Sequence, residues 1–443
     1  MAIPMLDSTP LPVVYGEQGV RLAPPVLNEN IRCDTVVIGA GVTGTSTAYH
    51  LAASGRDVVL LEEGKIGSGG SGRAFGNVVS VGKHSDTWVR KRYGIQGEQI
   101  LDWLSSGPDL VFGLIEEHHI DCMARRAGLL FPAHFDGIVP TLKAQAETLA
   151  ARGQKVSYLD EDETADIIGS KFYCGALLDR SAGSINPLAY TRGLADAARK
   201  AGAAIYQETT ATRLVKTAGS WTVSTVRGTV TAHSIVICTN AYSGNLWPRL
   251  GESILPIRGY AVVSKPLDHN LRGNILPQGQ SLTDTRRTWS GIRLLDDGRL
   301  HLSVMGPSFN PNGEADIIWA NKRVKDVFPT LPPTEWDGSW SGWVALNIAQ
   351  EPKLHQLDDT AWAAVGYSGR GLAFGTLMGR DIAFRLSDRE REATFPTSPL
   401  RPIIGRHFAP FVVELVLNYY AWLDERELNQ RRRTLTKHTL EAD

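Results

Sequence analysis

The chain has few cysteines, almost no imbalance of charge and no long apolar run, and each scarcity excludes something. Its four cysteines, Cys33, Cys122, Cys174 and Cys238, are scattered without a C-x-x-C pair. A disulfide framework and a structural zinc site are therefore not expected, and a reducing cytoplasm fits. Lys and Arg number 46 against 47 Asp and Glu, which leaves no net field to gather nucleic acid or anionic lipid. The one basic cluster, Arg431-Arg432-Arg433, reads as the solvated tail of a terminal helix. No stretch is apolar over the length a bilayer requires, and the N-terminal residues lack the basic-then-apolar order of a signal peptide. Neither a G-x-S-x-G elbow nor a phosphate-binding Walker loop occurs. The 11 histidines are spread thinly, and the adjacent pair His118-His119 would diverge by about 100° on a helix, so no metal site is expected.

What is present is an ordinary globular balance, 42% hydrophobic and 21% charged, over 443 residues. That length exceeds one core, so two or three interleaved units are expected. Residues 1–30 are proline-rich and aperiodic and read as an extended or partly disordered arm. The pattern then changes. Thr35 to Ile38 is a β-branched run suited to a strand buried on both faces, Thr45 to Ser54 reads as helix, and Asp57 to Leu61 as a second buried strand. Between the first strand and the helix stands Gly39-Ala40-Gly41-Val42-Thr43-Gly44, a G-x-G-x-x-G string, and Glu62 ends the second strand.

Each part of that unit has a physical task. Gly39 permits the tight turn, Gly41 admits a pyrophosphate to the backbone, and Gly44 lets helix and strand approach. The N–H groups and dipole at the helix start favour a diphosphate, while the Glu62 carboxylate accepts ribose hydroxyls and repels a 2′-phosphate. A second glycine-rich loop, Gly67 to Asn77, contains Arg73 and suits the far side of a dinucleotide, which favours FAD over NAD. A third, Gly366-Tyr367-Ser368-Gly369-Arg370-Gly371, lies between a buried strand at Ala361–Val365 and a helix expected over Leu372–Leu386. That helix start suits the flavin edge that becomes anionic on reduction. Elsewhere, Asn186 and Pro187 open a helix to Ala201. Leu101 to His118 and Gln145 to Arg152 have helical spacing, Ile254 to Leu346 reads mostly as antiparallel sheet, and the chain from Pro410 onward reads as helix.

Five motifs in order, DTVVIGAGVTG, VVLLEEGKIGSGGSGR, SINPLAYTRGLADAARKAGA, SIVICTNAYSG and AAVGYSGRGLAFGTLMG, resemble the D-amino-acid-oxidase-like flavoprotein superfamily, and within it the gamma-glutamylputrescine oxidase branch related to sarcosine and glycine oxidases. The likeness spans roughly residues 31 to 390. It implies an α/β (α+β overall) fold in which an FAD-binding Rossmann domain, expected over 31–105, 165–255 and 356–392, interleaves with an antiparallel-sheet substrate domain over 106–164 and 256–355, followed by a helical extension over 393–443. By the resemblance, FAD contacts fall on Gly39, Gly41, Thr43, Gly44, Glu62, Ser71, Gly72, Arg73, Gly76 and Asn77. Ala211 would meet the adenine, Thr239 stands in the loop beside the cofactor, and Gly369, Arg370, Gly371 and Leu372 flank the pyrimidine. Two departures stand out: Ala74-Phe75-Gly76 replaces the usual glycine pair, and Asn347-Ile348-Ala349-Gln350 stands where many relatives carry Thr-x-Asp.

The implied activity is oxidation of a small amine or amino acid at its C–N bond. Hydride passes to the flavin, the imine is hydrolysed, and electrons go to oxygen or, alternatively, to a quinone or partner protein. A non-catalytic flavin subunit is the rival class. Such chemistry asks mainly for orientation and desolvation, so no acid–base pair is required. Substrate candidates are Arg293 for a carboxylate, with an exposed strand arginine as the alternative; Tyr260, whose hydroxyl would lie over the flavin, with a half-buried strand tyrosine as the alternative; and Trp343, with Trp336 and Trp340, as an aromatic wall for a cation, with core packing as the alternative.

Overall fold

The computed structural model describes Tyr15 and residues 18–305, 314–387 and 389–442. Most of the expected arm, residues 1–14, 16 and 17, lies outside them. The chain divides into two compact units, one of Met1–Ala124, Ile185–Pro256 and Gly342–Arg406, the other of Arg125–Ser184, Ile257–Ser341 and His407–Asp443.

In the first unit, strands β1 (Asn30–Ile38), β2 (Val58–Leu61), β3 (Ala204–Tyr206), β4 (Thr229–Ile237), β5 (Lys353–Asp358) and β6 (Ala361–Val365) stand in the order β5-β6-β4-β1-β2-β3. All neighbours are parallel except β5 and β6. The inner strands are buried on both faces, as Val36, Val37, Val59, Leu60, Ile235 and Val236 show, and this is why they read as continuous apolar runs. Register sets Ile38 beside both Leu61 and Ile237, so three strands end at one edge. There the chain leaves β1 into helix α1 (Val42–Ala53).

Two further helices pack against α1. Helix α2 (Pro187–Lys200) starts as expected, with the Asn186 side chain accepting the Leu188 and Ala189 N–H groups. Helix α3 (Gly371–Arg385) approaches α1 through bare backbone. A methyl on Gly379 would lie 2.6 Å from Ser46 Cβ, one on Gly375 2.9 Å from Thr43 Oγ1, and Ser46 donates to the Thr376 carbonyl.

The second unit holds most of an eight-stranded sheet, antiparallel except where Ser281–Thr283 meets Leu129–Pro132. Val262, Ile292, Leu300 and Leu302 form its apolar face, covered by Ala320, Val324 and Val327 of the helix Glu314–Val327. That helix falls inside the segment expected to be sheet. Its core contacts recur at i, i+4 and i+7, a signal masked by the aromatic, alternating flanks.

The division differs from the expected boundaries. Helix Gly107–Glu117 falls in the first unit, because Gly107 sits against Ala373 of α3, where an added methyl would be 2.9 Å away. Strand Ala176–Asp179 falls in the second, since it pairs on both sides with that unit's strands. The final helix α4 (Ala409–Ala442) belongs to the second unit and buries Asp424, Leu428 and Arg431. Arg431 is thus no solvated tail. It pairs with Glu161 and donates to the carbonyls of Phe172, Lys171 and Tyr173.

Candidate functional site

The turn between β1 and α1 is built to lack side chains. Gly39 takes φ +100, open only to glycine without strain, and a methyl on Gly44 would stand 1.8 Å from the Gly39 carbonyl oxygen. A methyl on Gly41 would meet Ser71 Oγ at 2.8 Å. Three N–H groups of the turn and helix start are engaged within the protein: Gly39 donates to the Leu61 carbonyl at 2.8 Å, Ala40 to Glu62 Oε2 at 2.7 Å and Val42 to Ser71 Oγ at 3.0 Å. Glu62 Oε1 accepts the Gly64 N–H at 2.9 Å. Burial raises the Glu62 carboxyl above its ordinary value, and the two backbone donors oppose that rise. The residue is half-buried, and its carboxylate, with one backbone donor on each oxygen, keeps lone pairs for further donors. Beside it runs the strand end leading to Ala211, for Glu62 N–H donates to the Tyr206 carbonyl, and the Glu62 carbonyl accepts from Thr209 N–H. Backbone bonds thus fix Glu62 against the segment Tyr206–Thr209, two residues short of Ala211.

The second loop contains a single helical turn, Gly70–Arg73. Gly72 N–H closes it on the Gly67 carbonyl, and a methyl on Gly72 would lie 2.3 Å from that oxygen. Arg73 is buried and its Nε donates to the Ser68 carbonyl at 2.9 Å, which folds the loop around its own guanidinium. Gly76, at φ +104, accepts the Ile185 N–H and leads into Asn77. Ser71 belongs to both loops, because it holds Val42 from across the turn. These bare, mutually bonded backbone segments fit a dinucleotide at the strand ends.

The third loop closes the same unit. Gly366, Ser368 and Gly369 take φ of +79, +53 and +87, and Ser368, though not a glycine, is buried in that conformation. Two asparagines hold Gly366: Asn240 Oδ1 accepts its N–H at 2.9 Å, and Asn347 Nδ2 donates to its carbonyl at 2.9 Å and to the Glu351 carbonyl at 2.7 Å. Asn347, one of the departures from the family pattern, is a clamp on this loop. Thr43 donates to Tyr367 Oη at 2.8 Å, so its side chain ties the first loop to the third. Thr239 pairs with Ser243 within its own turn. Arg370 occupies the N-cap position of α3 without a side-chain cap bond, and Gly371 and Leu372 open the helix. Lys83, which sequence reasoning did not single out, lies near Arg370. The residue is exposed, so solvent screens the effect in part, yet burial of its ammonium and then the Arg370 guanidinium push it down to about 7.

Among the substrate candidates, register separates what the sequence grouped. Arg293 pairs with His301, and that row lies on the sheet face opposite the apolar core. Tyr260, opposite Val304, lies on the same face as Val262, Ile292 and Leu302. Tyr260 and Arg293 thus point to opposite faces and cannot serve one cleft together. Arg293 is buried, not an exposed strand arginine, and its Nε donates to His301 Nδ1 at 3.1 Å. Burial and then Arg293 keep His301 neutral, well below its ordinary value, and Trp340 lies against its ring at 5.1 Å. Trp336 instead donates to Asn321, and the Trp343 N–H donates to Tyr242 Oη at 3.3 Å. Trp343 also falls on the other strand face from Trp336 and Trp340. The three indoles form no single wall.

One further cluster, His134, Asp424 and Glu427, brings ligating atoms within 4.8 Å of one another. Its charges are already met. Arg287 reaches Glu427 at 2.6 and 2.9 Å and Asp424 at 3.2 Å, Thr288 donates twice to Asp424, and His134 Nε2 stands 2.9 Å from Glu427. These bonds tie Asp424 and Glu427 of α4 to His134, Arg287 and Thr288.

The profile of the family described as FAD dependent oxidoreductase matches residues 34–385. The chain is similar to gamma-glutamylputrescine oxidoreductase of Escherichia coli, 33% identical over 398 residues, 88% of this chain and 92% of that one. It is similar to glycine oxidase of Geobacillus kaustophilus, 24% identical across 86% of this chain and 99% of that one. The crystal structure of glycine oxidase from the same organism superposes with a TM-score of 0.70 at 22% identity, covering 84% of this chain and all of that one. That of L-proline dehydrogenase from P. horikoshii gives 0.68 at 20% identity, covering 81% and 94%. No described helix is long and apolar enough to cross a membrane.

Proposed function

The chain belongs to the FAD-dependent oxidoreductase family, and from that premise we propose that it oxidises the C–N bond of a small amine or amino acid, with oxygen as the electron acceptor. The observation that carries the substrate class is the near full-length likeness to an oxidoreductase of a γ-glutamylated diamine. Bound FAD supplies the two-electron acceptor for such a reaction. The first unit's residues hold it: the Gly39–Gly44 turn and Ser71 for the diphosphate, Glu62 and the segment at Ala211 for the adenosine, and the Gly366–Leu372 loop for the ring.

In the second unit, the row of Arg293, His301 and Trp340 supplies recognition. Arg293 is a fixed, buried cation suited to a substrate carboxylate, and neutral His301 orients it without competing for charge. For a primary amine the balance is one amine, one oxygen and one water giving carbonyl compound, ammonia and hydrogen peroxide.

The deciding experiment is the visible spectrum of the purified flavoprotein, recorded anaerobically before and after γ-glutamyl diamines, glycine and other amino acids. Bleaching by one compound, with recovery and stoichiometric peroxide on admitting air, is the expected result. Bleaching that recovers only with a quinone or dye replaces oxygen by another acceptor. A flavoprotein that no amine bleaches removes the substrate reading.

A further inference from the structure

Helix α4 exposes an apolar stripe on the side away from the sheet it packs on. Its buried positions, Asp424, Leu428 and Arg431, follow one another at i, i+4 and i+7 and define the docked face. On the opposite side Phe408, in the turn entering the helix, and Val412, Leu415, Tyr419 and Trp422 are 53% to 71% exposed. Their spacing is 4-3-4-3, the heptad seam of a helix–helix contact, and the Tyr419 and Trp422 rings stack along it. Val416 and Tyr420 widen the stripe on one flank.

Together these side chains leave on the order of 800 Å² open, about what each partner contributes to a stable interface. Lone exposed apolar residues need no explanation, but a contiguous stripe of this size does. The segment Ala409–Leu423 contains no Lys or Arg, whereas a helix lying on an anionic membrane carries them along its polar face. The heptad seam and the missing basic residues both favour a helix as occupant over a lipid surface.

We propose that this stripe is the interface between two copies of the chain, with α4 paired against its own twin about a two-fold axis. In such an isologous contact each copy offers the same residues, and the middle of the seam, at Leu415, lies nearest the axis and meets itself.

The test is sedimentation velocity of the full-length flavoprotein from low to high micromolar concentration, with the Leu415→Glu and Trp422→Glu variants beside it. A wild-type dimer is expected, and each variant should weaken it by about thirtyfold or more while flavin spectrum and turnover stay unchanged, since neither residue touches the site. Leu415→Cys should cross-link to its own copy under mild oxidation, where wild-type protein does not. A wild-type monomer at every concentration overturns the proposal, as does a dimer that both glutamates leave intact. Monomeric protein that sediments with phosphatidylglycerol vesicles, and loses this in Trp422→Glu, assigns the stripe to a membrane and overturns it too.

Discussion

At the scale of single residues, the cofactor turn makes demands that substitutions can test. The Gly44→Ala methyl would fall 1.8 Å from a backbone oxygen, not from a side chain able to rotate away. The turn must therefore open, and we expect protein purified without flavin, read as a collapse of the visible-to-ultraviolet absorbance ratio. Normal flavin content in that variant would sink this account of the turn. Glu62→Gln keeps the shape but loses a charged acceptor, and hydrogen bonds to charged groups contribute about 1.5–3 kcal/mol. FAD affinity should fall roughly ten- to hundredfold by titration of the stripped protein, and an unchanged affinity would remove Glu62 from the ribose site. Lys83 makes a prediction about stability. Its folded value of about 7 lies below the unfolded 10.5, so below pH 7 both states hold the proton and the folded state bears the cost of the charge, a cost that solvent reduces at this exposed residue. Between 7 and 10.5 only the unfolded chain keeps its proton, and folding gains. Relative to Lys83→Met, the flavin-free wild type should gain thermal stability as pH rises through that window. A constant difference would show that Lys83 titrates normally.

Elements show what local chemistry could and could not announce. Asn186→Ala removes the cap of α2, and because that cap is buried the cost should reach about 2 kcal/mol, the upper end for caps, measurable by urea unfolding. A loss below a few tenths would mean the helix start is held by packing alone. This element was legible in the sequence because Asn-Pro at a helix start is local chemistry. So were the cofactor loops, whose glycines are dictated by φ and close approach. The Glu314–Val327 helix was not, since its three core contacts are too few to stand out between flanking segments whose aromatic, alternating pattern suits strands. Nor was the split between Tyr260 and Arg293, because which face a strand residue takes depends on register, a property of pairs of strands. Arg431 illustrates the same limit: three arginines in a row look solvated until a distant glutamate and three carbonyls close around one of them. Gly375 and Gly379 belong to the legible class in hindsight, as small residues four apart on a helix mark a close helix contact, and Gly379→Val should destabilise by about 1–3 kcal/mol through overpacking against Ser46.

For the whole molecule, four buried imidazoles lean in one direction. His50 is pushed down to about 4 by burial, and His134, His301 and His355 also lie below the ordinary 6.5, with burial the leading cause in each. Each folded site refuses a proton that the unfolded chain accepts below 6.5, so each contributes stability that is lost as pH falls through 6.5 and toward its folded value. Carboxylates follow at lower pH. Burial would raise Glu351 and Glu427, but Lys353 and Tyr93 hold the first down, and Arg287 and His134 the second. Their stabilisation disappears below 4.5. Glu62 and Asp381 work the other way: burial raises them, so the folded state takes their protons first and gains as pH falls. Two such groups oppose four imidazoles, and they act only near the carboxylate range, whereas the imidazoles begin to count near 6.5. The melting temperature should therefore fall by several degrees between pH 7 and about pH 5, and fall faster below it. His134→Gln, which keeps a neutral polar group beside Glu427, should flatten the first part of that descent. A melting temperature that holds or rises from pH 6.5 to 5 would mean that the imidazoles are met by charge in the folded protein, and that burial does not govern its response to acid.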